Sequence, residues 1–302
     1  MNTDEYGQRR SRTRRRKPLM IIAALATTAA LALTAPAIAS ASSADHAPTA
    51  VAAGKPAAKP TIVLVHGAWA GASSFDPVTT LLQAQGYTVV NAPNPLRGVE
   101  DDISSVVSYV STVHPEPVIL VGHSYGGVVI TGAAGRLPNV KALVYIDAYA
   151  PDDGESALAL TIQNPGSAIN PAADFDAVDY PHAPMVEDPP HPDHDAYIKA
   201  DRFKALFAAS LPTVVTRVLA ADQSPIALSA LGTPFPGVPG WKSIPSWYFV
   251  GTDDQVIPPA TQRFMAQRAG SKIVEGKSPH LAMYGAPLKV SQLIVSAAKA
   301  VG

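Results

Sequence analysis

The sequence predicts an α/β fold: a mostly parallel sheet flanked by helices, with a helical cap inserted. Three observations carry that expectation. Short apolar runs alternate with helix-length segments, the pattern of parallel strands covered on both faces. A serine flanked by glycines, Gly122-His123-Ser124-Tyr125-Gly126, sits where one apolar run ends and a helical stretch begins. One long segment, residues 151–239, breaks the rhythm with prolines, acidic residues and histidines. An insertion of that length between two sheet strands is usually functional, and above an active site it acts as a lid.

The expected strands are Thr61 to Val65, Thr88 to Asn91, Val118 to Val121, Ala142 to Ile146, Ser246 to Val250 and Lys272 to Val274. Helices are expected over Val78 to Gln85, Ile103 to Thr112, Val128 to Arg136, Pro259 to Arg268 and Leu288 to Ala300. Gly86 and Gly270 fall just past two helix ends, and Pro259 falls at a first turn, which is where such residues belong. Within residues 151–239 no buried strand is evident, while Tyr197 to Ala209 and Pro212 to Ala220 read as helices.

The chain has 302 residues, and its first part reads as a leader rather than as fold. Six arginines between Arg9 and Arg16 with Lys17, an apolar run from Leu19 to Leu33, and Ala37-Ile38-Ala39 match the three regions of a signal peptide. A single membrane-anchoring helix is the alternative, but the run is short, carries three threonines and stops at Pro36. Residues 1–39 are therefore expected to be a signal peptide, exported by the Sec or the twin-arginine route. Residues 40–60, rich in Ala, Ser and Pro, read as a disordered linker, and 61–302 as the folded domain. After leader removal the protein is expected to be extracellular, with no stable membrane association.

Cysteine is absent, so disulfides and thiolate metal sites are excluded. The net charge of −1 includes the basic leader, so the mature chain is distinctly acidic, which argues against a nucleic-acid partner.

A strand-to-helix turn tight enough to need Gly122 and Gly126 lifts the Ser124 hydroxyl clear of the backbone, as a nucleophile requires. Serine is a poor nucleophile at neutral pH without a base and an acid to orient that base. His280 lies after the last expected strand, in Gly276-Lys277-Ser278-Pro279-His280-Leu281, and Asp254 lies just after the strand ending at Val250. In a parallel sheet these carboxyl ends share one edge, where ligands bind. Asp253 and, at the end of the preceding strand, Asp147 remain alternatives for the acid. His66 and His123 compete less well as the base; both suit structural roles. The loop His66-Gly67-Ala68-Trp69 can offer the Ala68 N–H beside that of Tyr125 to a developing oxyanion. Trp69 flanks that hole and is expected to contact substrate.

His191-Pro192-Asp193-His194-Asp195 has metal-ligand residue types. A proline-broken loop does not preorganise ligands, and a serine mechanism needs neither metal nor cofactor, so none is expected. Tyr197, Phe203, Leu206 and Phe207 read as cap packing, and Trp247 and Tyr248 as core.

These motifs, with Tyr145-Ile146-Asp147-Ala148-Tyr149-Ala150-Pro151 and Gly251-Thr252-Asp253-Asp254-Gln255-Val256-Ile257-Pro258, resemble the α/β-hydrolase superfamily. The nearest group holds the plant methylesterases and hydroxynitrile lyases with their bacterial esterase relatives. The resemblance runs from about Thr61 to the end and is weakest in the cap. It implies Ser124 as nucleophile, His280 as base, Asp254 as acid, and Ala68 and Tyr125 as the oxyanion hole. It also implies a small-molecule ester substrate. Hydroxynitrile lyases of this group carry lysine directly after the histidine, where this chain has Leu281, which favours ester hydrolysis. A lyase or carbon–carbon hydrolase using the same residues, and a ligand-binding protein on the same fold, are the rival readings.

Overall fold

The structure, a computed structural model, describes residues 58–186 and 190–302. The expected signal peptide, 1–39, and nearly all of the expected linker, 40–57, lie outside the described residues. No helix among the described residues is long and apolar enough to cross a membrane.

Six strands form the main sheet: β1 Thr61–Val65, β2 Val89–Asn91, β3 Val118–His123, β4 Val140–Ile146, β10 Ser246–Gly251 and β11 Lys272–Gly276. Their spatial order is β11-β10-β4-β3-β1-β2, and every neighbouring pair is parallel. The chain runs outward from β1 to β2 and then returns to place β3 on the other side of β1. That reversal leaves a crevice beyond the carboxyl ends of β1 and β3, the usual ligand position in open parallel sheets. All of β1 and β3 is buried, which is why both read as unbroken apolar runs.

Helices cover the sheet. Those over Asp76–Gln83 and Pro287–Val301 pack on one another, as do those over Val99–Val113 and Gly126–Ala134. The Val99–Val113 helix starts a turn earlier than its apolar spacing suggests. The buried Asp102 carboxylate accepts the N–H groups of Arg97 (3.0 Å) and Gly98 (3.4 Å), and so satisfies donors at the entry to the first turn.

Between β4 and β10 lies the cap. It carries helices over Ala157–Gln163, Ala200–Phe207 and Thr213–Ala221. It also carries strands that the sequence does not announce: β5 Phe175–Asp179, β6 Met185–Val186, β7 His191–Pro192, β8 His194–Ile198 and β9 Ile226–Ala227. β5, β8 and β9 form an antiparallel sheet, and β6 and β7 a small hairpin. Tyr197, read as the start of a helix, is in β8, and the helix begins at Ala200. These strands are short, and β5 is almost wholly exposed, so no apolar run marks them. His191 and His194 stack, His194 pairs with Asp179 and Asp195 with Arg97. Asp193 is buried, accepting Ser229 Oγ at 2.6 Å and Tyr180 Oη at 3.2 Å. The segment considered for metal thus braces the cap.

The turn after β3 depends on close backbone contact. A Cβ on Gly122 would lie 2.7 Å from the Gly126 carbonyl oxygen, and one on Gly126 would overlap the Val65 carbonyl. Neither neighbour is a side chain that can swing away. Gly126→Ala should therefore destabilise the protein by about 3 kcal/mol and lower the melting temperature by roughly 6–12 °C, readable by calorimetry.

Candidate active site

Ser124 follows the last residue of β3 with φ 53°, a left-handed conformation that costs a non-glycine residue about 1 kcal/mol or more. Three backbone bonds hold it there. Its N–H donates to the Ile146 carbonyl (3.3 Å), and its own carbonyl accepts from Gly127 (2.9 Å) and Tyr149 (3.1 Å). The side chain is thereby turned out of the strand, 2.9 Å from His280 Nε2. His280 Nδ1 lies 2.8 Å from Asp254 Oδ2, and both side chains are fully buried.

Asp254 is fixed by further donors. Oδ1 accepts the N–H groups of Val256 (2.7 Å) and Ile257 (3.1 Å), and Oδ2 accepts Gln262 Nε2 (2.7 Å). With His280 this makes four partners on one carboxylate, leaving it little rotational freedom. Of the alternative acids, Asp253 is only partly buried, and Asp147 directs Oδ1 to the Gly251 N–H rather than to His280. The structure brings Ser124, His280 and Asp254 together and leaves the other two carboxylates out of that line.

His280 is also gripped from both sides, by residues whose part at the site sequence reasoning missed. The His123 ring lies 4.8 Å from it, and Phe207 of the cap meets it edge-on at 4.7 Å. His123 Nε2 donates to the His280 carbonyl (3.0 Å), and the Phe207 carbonyl accepts the Leu281 N–H (3.1 Å). No sequence spacing signals these contacts, since the residues lie far apart in the chain.

The loop after β1 lies against the serine turn. A Cβ on Gly67 would come within 2.6 Å of Ser124 Cβ and 2.8 Å of the His123 carbonyl, so only glycine permits the approach. His66 Nδ1 is 3.0 Å from the Gly67 carbonyl, and burial pushes its pKa down. Trp69 has φ 56° and is tied to the cap twice, by its N–H to Ser224 O (2.8 Å) and its Nε1–H to Ala196 O (2.9 Å). Its indole stacks on Phe175 at 4.9 Å. Ala68 and Tyr125 both border the cavity that reaches Ser124, and among the described residues neither N–H is bonded to another backbone group. The Tyr125 ring runs inward, where its hydroxyl donates to Asp102 Oδ2 (2.9 Å), so this pair anchors the residue after the serine.

The cavity has a volume of about 290 Å³ and lies between the main domain and the cap. Trp69, Tyr149, Phe175, Leu228 and Val256 shape it, and among the described residues no acidic, basic or histidine side chain lines it. A hydroxyl hydrogen-bonded to an imidazole at the floor of such a chamber can lose its proton to that imidazole while attacking a carbonyl carbon.

Residues 62–293 match the model of the alpha/beta hydrolase family. The chain belongs to this family. A carbendazim hydrolyzing esterase from Nocardioides sp. is 38% identical over 110 residues, which are 32% of this chain and 46% of that protein. Methylesterase 8 of Arabidopsis thaliana is 26% identical over 265 residues, covering 80% of this chain and 90% of that one. Among solved structures, an extracellular alpha/beta-hydrolase from a Paenibacillus species superposes with a TM-score of 0.59 at 23% identity, covering 79% of this chain and 98% of its own. The two esterases among these relatives support a carboxylic ester hydrolase.

Burial, and then the neighbouring His280, push the His123 pKa well below its ordinary 6.5. Because the folded value is the lower one, the unfolded chain takes up the proton first as pH falls. The stability His123 contributes is complete above about pH 6.5 and is lost below it, at up to about 1.4 kcal/mol per pH unit. The melting temperature should drop between pH 7 and 5, and the slope should flatten in His123→Gln.

Proposed function

We propose that this protein is an exported serine hydrolase that cleaves carboxylic esters of small, uncharged molecules through an acyl-enzyme. The hydrogen-bonded line from Ser124 Oγ through His280 to Asp254, with spacings of 2.9 and 2.8 Å, carries the proposal. In it His280 Nε2 takes the hydroxyl proton as Ser124 attacks the acyl carbon. Asp254 holds the Nδ1–H tautomer and stabilises the imidazolium. The N–H groups of Ala68 and Tyr125 receive the negative charge of the tetrahedral intermediate, and the N-terminus of the Gly126–Ala134 helix adds partial positive charge. His280 then protonates the leaving alcohol, and a water activated by the same imidazole releases the acid.

An uncharged substrate is the choice of the cavity, whose lining offers no countercharge among the described residues, so a buried ion there would lose its hydration without compensation. Trp69 fits the role of a wall rather than a donor, because its Nε1–H is already committed to Ala196. Leu281, buried where lyases of the related group carry lysine, supports hydrolysis over cyanohydrin cleavage. Export rests on the basic run, the apolar stretch and Ala37-Ile38-Ala39.

On a short-chain aryl ester, Ser124→Ala should lose roughly 10⁴-fold or more in kcat, and a fluorophosphonate probe should label the native protein but not the variant. Undiminished hydrolysis by folded Ser124→Ala would overturn the mechanism. A pure binding protein on this fold would leave the probe unreacted. Within an ester panel, adding a carboxylate to the acyl part should lower kcat/KM by about 100-fold.

A further inference from the structure

We infer that Asp147 is a positioning residue: its carboxyl fixes the end of β10, from which the loop bearing Asp254 runs against the loop bearing His280, and so sets the hydrogen bond between them. The inference rests on the serine-hydrolase reading above and adds to it a residue that neither attacks nor transfers a proton to substrate.

Asp147 is the first residue beyond β4, and it is fully buried. Its φ of 44° is left-handed, a region aspartate tolerates better than most side chains, and its N–H donates to the Phe249 carbonyl at 3.1 Å, so the backbone turns out of the sheet there. The turn delivers the carboxyl to the end of β10. Oδ1 accepts the Gly251 N–H at 2.6 Å. Gly251 ends β10, and its carbonyl accepts the Asp254 N–H at 3.3 Å; Asp253, in the same loop, donates its N–H to the carbonyl of Ser278, two residues before His280, at 3.1 Å. The contact is close enough that a Cβ on Gly251 would lie 2.7 Å from Oδ1. Oδ2 has no hydrogen-bond partner among the described residues.

The protonation state follows from the surroundings. Burial, and then the negative charge of Asp254, push the Asp147 carboxyl well above the usual carboxylate range, and the nearby backbone N–H groups only partly offset this. A neutral carboxyl can accept the Gly251 N–H without setting a second negative charge beside Asp254. An amide in its place supplies the same accepting oxygen; a missing side chain does not.

The test compares Asp147→Gly, which suits the positive φ, and Asp147→Ala with Asp147→Asn. Each is assayed for kcat and KM and for the downfield Nδ1 proton of His280 by NMR. Either removal should lower kcat by about 100-fold with little change in KM, as misplacement of a reacting group does, and should weaken or shift the proton resonance. Asp147→Asn should restore most of kcat and the native resonance. Native kcat and an unshifted resonance in a folded removal variant would overturn the inference. So would an Asn variant as impaired as the removals, or failure of both removals to fold, which would make the role purely structural. Should Ser124→Ala keep full activity, the mechanism itself fails, whereas the resonance still reports whether Asp147 sets the Asp254–His280 bond.

Discussion

The close approach of backbones at the end of β3 is the constraint on which the rest of the site depends. Three chain segments converge there with no side chains between them: the turn around Ser124, the end of β1 with Gly67, and the residues after β4. The glycines let those carbonyls and amides come within contact distance. The same crowding forces Ser124 into a left-handed conformation that its bonds to Ile146, Gly127 and Tyr149 then hold. A site of this kind stores strain in its backbone and repays it with a hydroxyl that has one orientation.

Around that turn the cap works as a brace as much as a cover. Trp69, beside one candidate oxyanion donor, is bonded to cap residues Ser224 and Ala196, and Phe207 of the cap packs on His280 while bonding to Leu281. Arg97, whose N–H is held by the Asp102 that anchors Tyr125, adds an ion pair to Asp195. The cap therefore touches the parts of the site contributed by β1, β3 and the histidine loop. A cap tied at so many points is suited to a preorganised cavity, with substrate entering by local movement rather than by wholesale opening.

The centre of the sheet was legible in the chain because it is buried on both faces, so that Thr61–Val65 and the start of Val118–His123 appear as apolar runs bounded by turn residues. The cap strands were not. His194–Ile198 alternates half-buried polar positions with Ala196 and Ile198, and Ile226–Ala227 is two residues long, which leaves too little pattern for periodicity to register. Ser124, His280 and Asp254 could be found from motif and position, with Asp253 and Asp147 left as alternative acids until the direction of each carboxylate was seen. His123, Phe207 and Asp147 were legible only as a structural histidine, cap packing and an alternative acid, and Gln262 not at all, since what each does at the site depends on contacts that only the folded chain makes.

Sequence by itself determined the order of the main-sheet strands and the helices between them, the glycine-framed serine and the lack of any thiol chemistry, because these follow from local composition and spacing. Only the tertiary structure decided which acid meets His280, what grips its ring, and how an uncharged chamber forms between cap and sheet. Those outcomes depend on distances of about 3 Å between segments far apart in the chain, such as the 2.9 Å from Ser124 to His280 across 156 residues, and no local rule of chain chemistry carries that information.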